Sequence, residues 1–346
     1  MLRLGCIAFV VACASAALAQ TNDLAQQLQN FQESYAHTDA KLTRQLNELL
    51  WFQRLGEVAR VDKINFTGPP PMETNGVAPP SGSNDVIVSA MTFLPRSKTS
   101  VGKLPLVVFV HGEIHGNTAS DEEAVVVREL IEQGYAVIAP DYRGSSGYGA
   151  DYWRKIDYGG LEVEDVQAAR EVMFNLHPEI ATNRVGIVGW SHGGAIAFLA
   201  AVRHPGAYQA CYAGVPVSDL ESRIRAMGPD YEGFFATRYH VGKTLSEAPE
   251  EYRRRSPAWN VDQLATPLLV HANTSDEDVP FAEVQKLLGA LARSGKSFEQ
   301  HIYTNAPGGH HFNRLDTPLA RESREEIWRF LAKHLHPAGA QRAPRF

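Results

Sequence analysis

The chain has 346 residues with 44% hydrophobic and 21% charged content, an ordinary globular profile with length for one large α/β domain and an appendage. Its formal charge of −6 shows no basic surplus, which argues against nucleic acid or an anionic membrane surface as a partner. No segment after the first 20 residues reaches the roughly 18 unbroken apolar residues that a membrane span requires.

Residues 1–19 read as a secretory signal peptide. Arg3 supplies a minimal cationic start, Ile7 to Val11 a short apolar core, and Ala17-Leu-Ala19 a cleavage signature before Gln20. This implies a secreted or periplasmic protein cleaved after Ala19; a lipoprotein signal ending at Cys13 is the competing reading. Of Cys6, Cys13 and Cys211 only the last survives such cleavage, so no internal disulfide is expected and Cys211 reads as a small buried hydrophobe.

Residues 20–60 carry a helical period: Leu24, Leu28, Phe31 and Tyr35, then Leu42, Leu46, Leu49 and Leu50, with Gly56 as the stop. A break at His37-Thr38-Asp39 predicts a helical hairpin, read as a packing appendage in preference to a partner-binding coiled coil. Residues 61–84 hold a strand from Val61 to Phe66 and a Pro/Gly/Ser-rich linker beginning at Gly68, near which the domain boundary is expected.

The remainder, residues 85–340, alternates strands and helices. Strands are predicted at Val86 to Leu94, Leu106 to His111, Ala136 to Pro140, from Val185 to Val188, from Ala210, at Leu268 to His271 and at Phe298 to Tyr303. Helices are predicted from a capping box at Ser120-Asp-Glu-Glu123 to about Gln133, at Leu161 to Leu176, from Ser191 to about Arg203, at Phe281 to Ala292 and from Leu319 to His334. That alternation predicts an α/β fold whose mostly parallel sheet is covered by helices on both faces. In such a sheet ligands sit at the carboxyl ends of the strands. The segments there are all polar, glycine-rich or titratable: His111 to Gly116, Asp141 to Gly149, Ser191, Ser275 to Asp278, and Gly308 to Phe312.

Gly189-Trp-Ser191-His-Gly193, between an apolar strand and an apolar helix, matches the G-x-S-x-G elbow that exposes a nucleophilic serine above a sheet. A serine hydroxyl needs a base, and the base an orienting acid. Downstream strand ends offer Asp276, Glu277 and Asp278 as acids and His310 and His311 as bases, in the order Ser, acid, His that elbow hydrolases use. No Cys/His cluster has metal-ligand spacing, and no cofactor is implied.

Several motifs in one order make the chain resemble the catalytic domain of the prolyl oligopeptidase group of α/β-hydrolase serine peptidases. They are Gly189-Trp-Ser-His-Gly-Gly194, Asp141-Tyr-Arg-Gly-Ser-Ser-Gly-Tyr-Gly149, Tyr252-Arg-Arg-Arg-Ser-Pro257 and Ser275-Asp-Glu-Asp-Val-Pro280, within a likeness running from Leu106 to His336. The resemblance implies Ser191 as nucleophile, Asp276 as acid, His310 as base, and the backbone N–H groups of His192 and Glu113 as oxyanion donors. Two departures stand out: Glu113 and Ile114 occupy the last two positions of a loop that in the family usually reads His-Gly-Gly-Pro, and His311 replaces a small residue. A β-propeller that such peptidases typically carry has no room in 346 residues.

Tyr142, Tyr148 and Glu113 are the candidates for lining a substrate pocket, with simple packing as the alternative for the tyrosines and solvent exposure for Glu113. His111 and His115 read as structuring their loop, and Arg143 with Asp165 as a possible brace above the site. The resulting expectation is a serine-type peptidase acting through an acyl-enzyme on a peptide substrate. The alternatives are a carboxylic ester hydrolase taking a small acyl or carbohydrate ester, and a non-catalytic α/β-hydrolase module that binds a partner. Oligomeric state is not legible.

Overall fold

The computed structural model describes residues 2–70, 86–96, 102–118, 121–236 and 241–339, with side chains described from Asp23 onward and not at Asp121. The predicted linker from residue 71, the expected capping residue Ser120 and the side chains of residues 2–22 fall outside the described set. In chain order the elements are α1 (Leu2–Leu55), β1 (Ala59–Thr67), β2 (Ile87–Pro95), β3 (Leu104–Val110), α2 (Asp121–Glu132), β4 (Ala136–Asp141), α3 (Ala150–Trp153), α4 (Leu161–Leu176), β5 (Ile180–Trp190) and α5 (His192–Arg203). After them come β6 (Ala210–Gly214), α6 (Leu220–Met227), α7 (Pro229–Ala236), α8 (Pro249–Arg254), β7 (Leu268–Asn273), α9 (Phe281–Arg293), β8 (Glu299–Tyr303) and α10 (Pro318–Leu335).

The eight strands form one sheet in the order β1-β2-β4-β3-β5-β6-β7-β8. The first two pair antiparallel, β2 also lies antiparallel to β4, and every other pairing is parallel. Side chains of β5 alternate between the two faces. Val185 and Ile187 join the core under α4, α5 and α9, whereas Val188 and Trp190 join the one under α2, α10 and the end of α1. With both faces covered, the strands become continuous apolar runs rather than alternating ones. Cys211 lies fully buried in β6 as a free thiol. Among the described residues no helix is long and apolar enough to cross a membrane.

The N-terminal hairpin is corrected to a single helix, continuous through His37-Thr38-Asp39. Those three residues carry only modest helix penalties, at most about 0.7 kcal/mol each relative to alanine, and none is a glycine or proline. Thr38 Oγ1 returns its hydrogen bond to the Ser34 carbonyl one turn back (2.9 Å), so the side chain that favours a break is satisfied within the helix. The apolar spacing before and after this point is in phase, Tyr35 and Leu42 being two full turns apart. β1, ahead of the expected domain boundary, pairs with β2 along its whole length, from Ala59 opposite Pro95 to Thr67 opposite Ile87.

Candidate active site

The site is built at the carboxyl ends of β3, β5 and β7 and in the loop after β8. Ser191 occupies the turn between β5 and α5 with φ 58° and ψ −125°, a conformation that costs a residue with a Cβ of order 1–3 kcal/mol. The glycines around it are sterically required. A Cβ on Gly189 would lie 2.2 Å from the Gly193 carbonyl oxygen, and one on Gly193 would lie 2.4 Å from the carbonyl oxygens of both Val110 and His111. The elbow therefore presses α5 directly onto the end of β3. Ser191 N donates to Gly214 O (2.9 Å) and its carbonyl accepts from Val217 N (3.2 Å), so the strained turn is locked from β6 as well.

His310 sits in a 3₁₀ turn, Gly309–His311, entered through Gly308 in the left-handed region at φ 95°. Its Nδ1 lies 2.8 Å from Oδ2 and 3.0 Å from Oδ1 of Asp276, with both side chains buried. Asp276 Oδ1 also accepts the backbone N–H groups of Asp278 (2.9 Å) and Val279 (2.8 Å). These donors fix the carboxylate's orientation, so it can fix the imidazole's. The neighbouring side chains play other parts. Asp278 is an exposed residue at the rim, and His311 turns away to bond Glu122 Oε2 through Nδ1 (2.9 Å). That bond holds the Glu122 carboxyl below its usual range against the opposing effect of burial.

His192 begins α5, so its backbone N–H has no carbonyl partner within the helix. Its imidazole reaches back to Glu162 (3.4 Å), a fully buried carboxylate. Burial favours protonating Glu162, but the hydrogen bond and charge of His192 leave it below the usual range. Glu113 adopts φ 55°, a left-handed backbone that glycine enters at less cost than a residue with a Cβ. Its side chain is exposed at the cavity edge.

Tyr142 is corrected from pocket wall to loop support. It is fully buried, stacks on the His111 ring (centroids 4.0 Å apart) and donates its hydroxyl to the carbonyls of Glu113 (3.0 Å) and His111 (3.3 Å). Tyr148 likewise packs: its hydroxyl donates to Asp141 Oδ2 (2.5 Å) and its ring lies under the Arg44 guanidinium at 4.2 Å. His111 bonds Ser145 Oγ through Nε2 (2.9 Å), and burial pulls its pKa down to about 4. His115 stacks on Trp153 at 3.8 Å and bonds the Gly144 carbonyl (2.7 Å). Arg143 and Asp165 form a buried two-pronged pair, with both contacts at 2.7 Å, and Arg143 also donates to Pro69 O (2.7 Å).

Ser191 and His310 open into one cavity of about 650 Å³. Its apolar and aromatic wall is formed by Tyr158, Val217, Leu220, Tyr231 and Phe235, and its charged lining includes Glu122, Glu123, His311 and Arg314. The apolar wall was not identified from sequence. It comes largely from the segment between β6 and β7, where α6 and α7 rise over the sheet. The signal was there to find: 53 residues between Gly214 and Leu268 are too many for a simple crossover, and Tyr231, Phe234 and Phe235 form an aromatic cluster within them.

A family model described as the prolyl oligopeptidase family matches residues 122–338. An uncharacterized peptidase, YuxL, of Bacillus subtilis is 28% identical over 244 residues, covering 69% of this chain and 36% of YuxL. The acylamino-acid-releasing enzyme of Rattus norvegicus is 28% identical over 222 residues, covering 62% of this chain and 30% of that enzyme. The chain thus spans about a third of the length of these curated relatives. Among solved structures, a puromycin-hydrolysing peptidase of Mycobacterium tuberculosis superposes with a TM-score of 0.64 at 25% identity, over 80% of this chain and 40% of that one.

Proposed function

Because the chain belongs to the prolyl oligopeptidase family, we propose that it is a serine peptidase whose nucleophile is Ser191. The observation that carries this reading is a strained serine between two glycines that admit no side chain, sharing one cavity with a buried His310–Asp276 pair. In the proposed reaction Ser191 Oγ attacks the scissile carbonyl while His310 Nε2 takes its proton. Asp276 holds Nδ1–H and stabilises the imidazolium that results. The N–H groups of His192 and Glu113 receive the negative charge that develops on the carbonyl oxygen. His310 then protonates the leaving amine, and water repeats the sequence on the acyl-enzyme.

A relative and a solved structure named as peptidases support peptide-bond cleavage, and the aromatic wall formed by Tyr158, Tyr231 and Phe235 favours an apolar side chain beside the scissile bond. A fluorophosphonate probe should label the protein and fail on Ser191→Ala, and His310→Ala should abolish turnover while His311→Ala retains it. Loss of activity in His311→Ala with His310→Ala intact overturns the assignment of the base. Aminoacyl- and prolyl-amides compared with short-chain esters then test peptide against ester substrates. We further propose export across a membrane with cleavage after Ala19, on the strength of Arg3, the apolar core and Ala17-Leu-Ala19. N-terminal sequencing of the protein from its host should begin at Gln20.

A further inference from the structure

The outer face of α1 carries an apolar stripe turned away from the rest of the protein. Leu24, Leu28, Phe31, Tyr35, Leu42, Leu46 and Leu49 are each more than half exposed, from 56% at Leu28 to 69% at Leu49. At 100° per residue these seven fall within an arc of roughly 60° on a straight helix, over about 37 Å of its length. The body-facing residues of the same helix lie roughly opposite. Arg44 donates to Gly147 O (3.0 Å), Trp51 is fully buried with Nε1 on Thr118 O (2.9 Å), and Asn47 lines the active-site cavity. Packing α1 against its own domain therefore cannot cover the stripe.

Two further features bear on what does cover it. Residues 23–36 are exposed throughout, supported only by local side-chain pairs such as Gln27 on Asp23 (2.9 Å), and a solvated helix of that length is marginal in water. The positions flanking the stripe are mostly uncharged, with Gln27, Gln32, Ser34, Thr38 and Gln45 along its edges and Asp39 the one charge beside it. A charged partner would find little to pair with there, whereas a second copy would meet no row of like charges. Counted at roughly 100 Å² of apolar surface per exposed Leu, Phe or Tyr side chain, the stripe offers about 700 Å² per helix. Two copies would then bury about 1,400 Å², within the range of specific, stable interfaces. It also exceeds the few hundred Å² of contiguous apolar surface that a monomer usually shows.

We infer that the outer stripe of α1 is a self-association surface through which two copies of this chain pair, helix against helix, about a two-fold axis. The pairing stands apart from the catalytic reading, since no stripe residue belongs to the site. Sedimentation equilibrium on the purified chain, over a range from below 1 μM to about 50 μM, should give a dimer whose dissociation constant rises at least tenfold in Phe31→Glu/Leu42→Glu. Fluorophosphonate labelling of that variant should match the wild type, which separates loss of pairing from loss of folding. If the charged variant misfolds, Leu28→Gln/Leu42→Gln provides the same comparison without added charge. A wild-type chain that stays monomeric across the range overturns the inference, as does a dimer equally stable in the folded variants.

Discussion

Replacing His111 with glutamine should remove a specific acid sensitivity from the fold. The His111 ring is fully buried beneath the loop that carries Glu113, and burial holds its pKa at about 4 against an ordinary 6.5. In the unfolded chain the imidazole protonates near its ordinary value, so between these two limits unfolding takes up a proton that the folded state refuses. The sign follows: His111 carries no penalty well above pH 6.5, and stability falls as pH drops towards 4. The full effect is about 3 kcal/mol, of which about 2 kcal/mol accrues between pH 7 and pH 5. Glutamine is neutral at both pH values. Urea unfolding of wild type and His111→Gln at pH 7 and pH 5 therefore isolates the term from the other titrating groups. The wild type should lose about 2 kcal/mol more than the variant across that interval. An equal loss in both proteins would refute a neutral, buried His111.

Gly193→Ala should be destabilised by about 1–3 kcal/mol or more, because the new methyl meets the Val110 and His111 carbonyl oxygens at 2.4 Å and backbone cannot turn aside as a side chain could. Since those carbonyls lead into the loop bearing Glu113, kcat/KM should also fall by about 100-fold or more; near-normal turnover in a folded variant would show that the elbow and loop are not coupled. Arg143→Ala should cost about 3–5 kcal/mol in chemical denaturation, because it strands Asp165. That carboxyl is already pushed above its usual range by burial, and the substitution removes its partner. An Arg143→Ala protein within 1 kcal/mol of wild type, on that same scale, would mean the pair is not the brace it looks like.

Much of the candidate site was legible because each part has a local cause. Gly189 and Gly193 are glycines because the turn around Ser191 has carbonyl oxygens where a Cβ would be, and that requirement is visible as G-x-S-x-G between an apolar strand and an apolar helix. Asp276 and His310 were separable from Glu277, Asp278 and His311 only through the family's motif, since all five lie at strand ends. Their geometry gives the physical distinction: Asp276 alone folds back to accept two backbone N–H groups, and His310 is the histidine turned towards it. The tyrosines were less legible. Tyr142 and Tyr148 follow the same strand end as other polar residues, and nothing local says that one is fully buried under the loop while the other packs beneath Arg44 from a distant helix.

The N-terminal region divides the same way. Periodicity identified the helical segments on either side of His37-Thr38-Asp39 and their apolar face, because a 3.6-residue repeat is a property of neighbouring side chains, but it predicted a hairpin where one helix runs through. It did not say which way that face points. The direction is set by Trp51 and Arg44, which anchor the opposite side of α1 to Thr118 and Gly147 and so turn the leucines outward. The sequence by itself determined the alternating α/β order, the glycine-flanked turn at Ser191 and the succession of Ser191, Asp276 and His310 at strand ends, all of which rest on local conformation or on motifs. Only the tertiary structure decided which residues form the cavity walls and which face of α1 is left uncovered, because both depend on contacts between segments far apart in the chain.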